Sequence, residues 1–323
     1  MDALSDVLRT MRLKGGVFLR GHFTAPWCLS VDVSPQTYAP FFGETADVIP
    51  YHFVVEGHLQ VGTPDGVRLD LGPGDSVLFT RNDQHLLGSD VNRRAEPAGR
   101  FSRSGPGGLL YIDLDGPGDL TRIVCGFLAA ERVAGNPVLS ALPPVLYLRA
   151  GDNEAAAWMQ STFQYAAEQI GAGRPGSATT MSKISELLFV EAVQRYVDTL
   201  PEGATGWLAG MRDPYVSRAL ALMHGNLRRA WTVEDLGREV GLSRSALGAR
   251  FGEVMGMPPM QYLANWRIHA AAHELLANAR SVAQVAEDVG YESEASLTRA
   301  FKRVMGAPPA TWRRQRLQAD SPG

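Results

Sequence analysis

The hydrophobic and polar positions divide the chain into three textures. From 17 to 130, short apolar runs (VFLRGHF, LSVDVS, HFVVEGHLQV, DSVLFT, GLLYIDLD, RIVCGFL) alternate with turn-forming Gly, Pro and Asp, the pattern of short strands in a sandwich or barrel. From Glu154 the period lengthens. EAAAWMQSTFQYAAEQI places Trp158, Phe163 and Ala166 near one helical face, GAGRPGS interrupts it, and MSKISELLFVEAVQRYVDTL gives a second helix. Two such helices joined by a short Gly/Pro loop predict an antiparallel hairpin. Its run Leu187, Leu188, Phe189 and Val193 exceeds one buried stripe, which suits either a dimer interface or packing against the β domain. PEGATG at 201–206 reads as a linker.

The third texture is a repeat. VEDLGREVGLSRSALGARFGEVMGMPPMQYL at 233–263 matches VAQVAEDVGYESEASLTRAFKRVMGAPPATW at 282–312, with a spacing of 49 up to Gly241/Gly290 and 50 from Ser243/Ser293 onward. The extra residue falls in a turn. Thr232 and Ser281 are placed to cap a first helix, with Gln284 completing a capping box and Asp235 a weaker version of it. Gly241 and Gly290 end that helix, and Ser243 and Ser293 cap a second one. Leu247/Phe251 and Leu297/Phe301, each at i,i+4, give the second helix its core face, so each copy predicts a helix-turn-helix.

The outward face of such a second helix reads base edges with its first turns. In the second copy it carries Glu294, Ser296, Thr298 and Arg299, with Lys302 and Arg303 further along for phosphate, and Arg299 is the candidate for a bidentate contact to guanine. In the first copy it carries Arg244, Ser245, Gly248, Ala249 and Arg250, small side chains between arginines that suit phosphate grip and thymine-methyl contact. The intervening PPMQYLANWRIHAAAHELLANA predicts a helix of roughly 20 residues, or about 30 Å, enough to set two recognition helices in successive major grooves.

Charge supports a division of labour. Residues 211–323 carry 15 Lys+Arg against 11 Asp+Glu, a surplus of +4, whereas residues 1–210 carry 16 against 23, a deficit of −7. A basic half on an acidic chain points to a polyanion at one end and a different partner at the other. At 323 residues with 45% hydrophobic and 20% charged positions, the composition excludes a fibre or a disordered tail. No run is long and apolar enough to span a bilayer, and MDALSDVLRTMRLKGG lacks the apolar core of a secretory leader, so the expectation is a cytoplasmic protein without membrane contact. Cys28 and Cys125 are then reduced thiols, open to roles as a redox pair, metal ligands or core residues.

Residues 211–316 resemble the DNA-binding domain of the AraC/XylS family of transcriptional regulators, carried by WTVEDLGREVGLSRSALGARFGEVMGMPPMQYLANWRI and VAQVAEDVGYESEASLTRAFKRVMGAPPATWR. The resemblance implies promoter double-stranded DNA as a partner, RNA polymerase as a second, and groove-facing positions at Ser245, Gly248, Ala249, Glu294, Ala295, Ser296, Thr298 and Arg299. The first half is similar to the cupin-type sensor domain attached to part of that family. Of the cupin His-x-His-x3-Glu motif, His52 and Glu56 match while Pro50 stands at the first His; of the second motif, Gly74, Asp75 and His85 match, with Thr80 and Asn82 where Pro and Gly are usual.

His52, Glu56 and His85 would offer a divalent metal such as zinc two imidazoles and a carboxylate, and Cys125, facing the same way as Ile123 and Phe127, would complete the set. The alternative makes His52 and His85 hydrogen-bonded barrel residues, Glu56 a turn carboxylate and Cys125 a small core residue, and the missing first-motif histidine favours it. The expectation is thus a multidomain chain, with an all-β cupin-like barrel at 1–150 and a helical hairpin for connection or dimerisation at 151–200. A linker at 201–213 leads to an all-α domain of two helix-turn-helix units at 214–318. Its expected function is that of a homodimeric, non-enzymatic regulator answering to a small molecule, a metal or an oxidant, the last through Cys28 and Cys125. A cupin metalloenzyme of oxygenase or isomerase type fused to a DNA-binding module is the competing reading.

Overall fold

A computed structural model describes residues 3–11, 13–34, 38, 46–105, 110–131, 137–150, 154–171, 174, 176–277 and 280–319. After helix α1 (Ala3–Thr10) come β1 (Lys14–Thr24), β2 (Cys28–Val31), β3 (Ala46–Glu56), β4 (Leu59–Gly62), β5 (Arg68–Leu71), β6 (Ser76–Phe79), β7 (His85–Gly88), β8 (Glu96–Pro97), β9 (Arg103–Ser104), β10 (Leu110–Leu114) and β11 (Leu120–Glu131). Helix α2 (Pro137–Ala141) and β12 (Val145–Leu148) close the β domain. One sheet runs β12-β6-β3-β11-β1-β10-β9 and the other β5-β4-β7-β2-β8, all pairs antiparallel except β1 with β10 and β2 with β8. The predicted run HFVVEGHLQV is two strands, broken where Gly57 takes φ +83°, a backbone that L side chains avoid and that lies against the Leu120 carbonyl.

Side-chain alternation gives the large sheet two different faces. Val54, Val77, Phe79, Ile123 and Cys125 turn toward the second sheet and pack with Phe23, Trp27, Leu29, Leu59, Leu71 and Leu87. Ile49, Tyr51, Phe53, Val124 and Leu128 turn the other way, onto helices α3 (Glu154–Gly171) and α4 (Ser177–Thr199). The hairpin packs as α3 on α4 with α4 on β1, and Leu188, Phe189 and Val193 are buried while Leu187 is exposed. Trp158 does not share the face of Phe163. Five residues of helix turn a side chain by about 140°, so Phe163 stacks on Phe53 in the core while Trp158 is 53% exposed. Ala166's side chain, residues 172, 173 and 175 of the hairpin loop and residues 108–109 of the GLLYIDLD run lie outside the described residues.

The segment expected as a linker at 201–213 contains helix α5 (Trp207–Arg212), whose Trp207, Leu208 and Ala209 are buried. Helices α6 (Pro214–Gly225), α7 (Val233–Val240), α8 (Arg244–Met255), α9 (Pro259–Ala277), α10 (Val282–Asp288), α11 (Glu294–Met305) and α12 (Pro309–Ala319) follow. The first helix-turn-helix, α7 and α8, shares one continuous core with α5, α6, the hairpin and the outer face of the barrel, whereas the second, α10 and α11, builds a separate core with α9 and Trp312.

Candidate nucleic-acid interface and barrel cavity

Local chemistry sets both helix-turn-helix units. The Thr232 hydroxyl accepts from the Asp235 N–H at 3.0 Å and the Asp235 carboxylate accepts from the Thr232 N–H at 3.2 Å, so the box read as weak from sequence is complete. Ser281 and Gln284 make the same reciprocal pair at 3.2 and 3.0 Å. Gly241 at φ +83° caps α7; in the second copy helix α10 ends one residue earlier, at Asp288, with Val289 as its cap and Gly290 following at φ +81°. Ser243 and Ser293 then cap α8 and α11 by accepting from the Ala246 and Ser296 N–H groups at 3.2 Å each. Leu247, Phe251, Leu297 and Phe301 are all fully buried, which fixes the outward faces of both helices.

On α8, Arg244, Ser245, Ala249 and Arg250 are exposed and Gly248 half-exposed; on α11, Glu294, Ala295, Arg299, Lys302 and Arg303 are exposed, with Ser296 and Thr298 half-exposed. Within this set Arg250 differs. Its Nε donates to Asp213 Oδ2 at 2.6 Å and its guanidinium lies 5.0 Å from the Tyr215 ring centre, while Asp213 Oδ1 caps α6 through the Tyr215 and Val216 N–H groups. Arg250 is therefore paired within the fold while its side chain stays 46% exposed. Arg299, by contrast, makes among the described residues only a 3.5 Å contact to the Ser296 hydroxyl. Part of the basic surplus is also internal: Arg228 and Arg280 both pair with Asp288, and Arg229 lies 3.8 Å over the Trp231 ring.

In the barrel, His52 from β3, His85 from β7 and Cys125 from β11 come together, since register sets Cys125 opposite His52. His85 Nδ1 lies 2.9 Å from the Asp83 carbonyl, His52 Nε2 lies 2.7 Å from His85 Nε2, and His52 Nδ1 lies 2.8 Å from Cys125 Sγ. One proton arrangement satisfies all three contacts. A carbonyl only accepts, so His85 Nδ1 donates to it and His85 Nε2 accepts; His52 Nε2–H then donates, and His52 Nδ1 accepts from the Cys125 S–H. Burial, with His85 beside it, holds His52 well below the ordinary imidazole range; burial takes His85 down to about 4 against the Asp83 carbonyl, which pulls it up; burial pushes the Cys125 thiol up. The chain is neutral throughout. Phe79 stacks on His85 with centres 3.6 Å apart and fixes that ring.

The expected metal set does not assemble. Two imidazoles at 2.0–2.1 Å on a tetrahedral zinc stand about 3.3 Å apart, whereas the two Nε2 atoms are in direct hydrogen-bond contact at 2.7 Å and both nitrogens of His52 are spent within the relay. Glu56 sits at the end of β3 in a half-exposed ion pair with Arg122, and no group of three or more His, Cys, Asp or Glu among the described residues is placed to hold a metal. The residues therefore do not fit a cupin metal. The redox pair does not assemble either: both thiols are free, and Cys28 feels the charges of Asp90 and Arg93 while Cys125 lies on His52. Asp75 of the second motif is structural, accepting from the Tyr147 hydroxyl at 2.9 Å and from the Gly72 and Ala150 N–H groups.

Beside the relay lies a cavity of about 680 Å³, walled by Leu19, Phe23, Leu29, Ile112, Ile123 and Phe127, with His52 and Cys125 at its wall and Ser30, Asp32, Gln84 and Ser102 also lining it. Sequence reasoning missed this wall, because its residues come from separate strands and read singly as ordinary core. His52 and Cys125 were the signal that could have found it.

Comparison with known proteins joins the two halves. Residues 2–198 match a family described as Cupin, and residues 236–315 match one described as a helix-turn-helix domain. A protein of Streptomyces lividans named as an AraC-like transcription regulator is 32% identical over 97% of this chain and 98% of its own length. The HTH-type transcriptional regulator AlkR of Acinetobacter baylyi is 24% identical over 98% of this chain and 100% of its own, and the RCS-specific HTH-type transcriptional activator RclR of Escherichia coli 25% over 97% of each. With a capped helix-turn-helix pair at one end and a cupin barrel at the other, the chain belongs to the AraC-like family of DNA-binding transcriptional regulators.

Proposed function

We propose that the chain works in the cytoplasm as a homodimer that binds promoter DNA, reads base edges chiefly with α11, and answers to a small molecule held in the barrel cavity. The observation that carries the reading of DNA by α11 is the state of its outward side chains: Arg299 is exposed and held only by its 3.5 Å contact to Ser296 among the described residues, whereas the nearest counterpart on α8, Arg250, is tied to Asp213. Lys302 and Arg303, about one turn further on, are placed for phosphate. Arg244 at the start of α8, with Ser245 and Ala249 beyond it, gives the first unit a backbone contact with small side chains at the groove. Contact with RNA polymerase belongs to the same reading.

Two features support the remainder. Trp158 and Tyr165, seven residues apart on α3 and therefore on one face, are 53% and 54% exposed, and Leu187 on α4 adds 39%, apolar area of the kind a second subunit covers. The barrel is joined to its hairpin by a buried polar contact, the Tyr51 hydroxyl lying 2.6 Å from the Ser185 hydroxyl of α4, and the hairpin shares its core with the DNA-binding half.

The test uses a selected operator and random DNA at several salt concentrations. Arg299→Ala is expected to relax preference at one base pair and to cost about 1–3 kcal/mol on the operator alone, while Lys302→Ala weakens all sequences alike and flattens the salt dependence by about one unit. Equal loss on operator and random DNA for Arg299→Ala would refute the readout role.

A further inference from the structure

The cavity's wall is mostly apolar, and its ionisable groups are unusual in kind. Among the described residues that line it there is no lysine or arginine, and the one charged side chain is Asp32, exposed at the rim. The segments that follow Ser34 and Gly105 in sequence, 35–45 and 106–109, contain no Lys or Arg either. The donors of the relay are committed: Cys125 gives its proton to His52 and His52 to His85, which ends on the Asp83 carbonyl. What Cys125 turns to the cavity is therefore sulfur surface and not an S–H.

An ionised carboxylate entering such a space loses several kcal/mol of hydration and meets no cation to replace it. A hydroxyl, a carbonyl or an ether needs one or two neutral partners, and Ser30, Gln84 and Ser102 line the same cavity. An ammonium has the Asp32 carboxylate. We infer that the barrel selects an apolar molecule whose polar end is uncharged or cationic, and excludes carboxylates of the same shape. The inference rests on the cavity being the effector site and adds the chemical class that it takes. A volume of about 680 Å³ suits a single small organic molecule.

Three probes with one alkyl tail separate the possibilities: 1-decanol, decylamine and decanoate, titrated calorimetrically into the full chain at pH 7.5, where the amine is cationic and the acid ionised. Each titration is repeated on Ala98→Trp, which fills the cavity from a half-exposed position, and on Asp32→Asn. Decanol and decylamine are expected to bind the parent chain and to lose binding at least tenfold in Ala98→Trp, with decanoate at least thirtyfold weaker than decanol. Asp32→Asn leaves decanol unchanged and weakens decylamine by at most about fivefold, as a rim ion pair should. Circular dichroism of both variants confirms that the barrel is retained. Decanoate binding as tightly as decanol, and blocked by Ala98→Trp, would overturn the selectivity and leave the cavity standing as the effector site. Binding by none of the three, or binding that Ala98→Trp does not touch, would overturn the cavity reading and the selectivity together.

Discussion

Tyr262→Phe removes one oxygen atom from the middle of the DNA-binding half. The Tyr262 hydroxyl accepts from Trp207 Nε1–H at 2.8 Å and stands 2.8 Å from His224 Nε2. An indole N–H only donates, so the hydroxyl accepts from Trp207 while sharing a second hydrogen bond with His224, and the single oxygen ties α5, α6 and α9 together. Tyr262 and Trp207 are each 6% exposed and His224 9%, so water cannot stand in for the hydroxyl. Its loss orphans the buried Trp207 donor and the buried His224 Nε2, each costing about 1–3 kcal/mol, and the vacated space is too small for a water. The expected loss is about 2–4 kcal/mol, read by urea unfolding of the full chain with tryptophan fluorescence and circular dichroism followed together. A cycle with Trp207→Phe, which removes the donor itself, should show coupling of about 1 kcal/mol or more. A loss below about 0.5 kcal/mol, or strict additivity in the cycle, would refute the claim that this hydroxyl is the joint.

Acid should weaken the fold before any carboxylate titrates: burial holds His224 at about 3 and His85 and His269 at about 4, below the ordinary 6.5, so the unfolded chain binds the extra protons first. Stability present above pH 6.5 is lost as pH falls toward those values, by about 2 kcal/mol per histidine at pH 5, and a urea midpoint unchanged between pH 7.5 and 5 would contradict it. Arg250→Ala should cost about 1–2 kcal/mol of stability through its ion pair with Asp213 and its contact with Tyr215, and leave the salt dependence of DNA binding within half a unit of the parent. A drop of a full unit in that salt slope would return Arg250 to the phosphate contacts.

The helix-turn-helix units were legible because their determinants are local. Thr232 and Asp235, Ser281 and Gln284, and the i,i+4 pairs Leu247/Phe251 and Leu297/Phe301 act within one turn of chain, and sequence spacing is then spatial spacing. Contacts across the chain were not legible. Asp213 meets Arg250 across 37 residues, a pairing that no local pattern announces. The six residues of α5 are too few to show a helical period inside a supposed linker, and the four-residue strands β7 and β12 too few to show alternation. Glu56 matched a motif position, but a motif counts positions along a strand, whereas β3 ends at Glu56 and delivers its carboxylate to Arg122. His52, His85 and Cys125 were correctly drawn together, yet only the 2.7–2.9 Å contacts distinguish a hydrogen-bonded relay from a ligand set.

Two copies of one sequence pattern carry different mechanical loads. The first unit is held from the sensor side: Gly206 N–H donates to the Val254 carbonyl at 2.7 Å, Trp207 bonds Tyr262, and its core runs without a break into α4 and the outer face of the barrel. Beneath that face, Tyr51 reaches Ser185 of α4 while its neighbour His52 lines the cavity on the other side of the same strand. The second unit has its own core and hangs on α9, clasped by Arg267 on the Leu227 and Arg229 carbonyls and by Arg313 on the Leu275 carbonyl. Displacing β3 thus presses on the first unit through close-packed side chains, which transmit strain because they cannot compress. The second unit follows through the 19 residues of α9, about 28 Å, and through the Arg228–Asp288 ion pair between the α6–α7 loop and α10. The proposed division of labour fits that arrangement: α8 carries small outward residues on the unit that shares the barrel's core, and α11 larger polar ones on the unit whose core is its own.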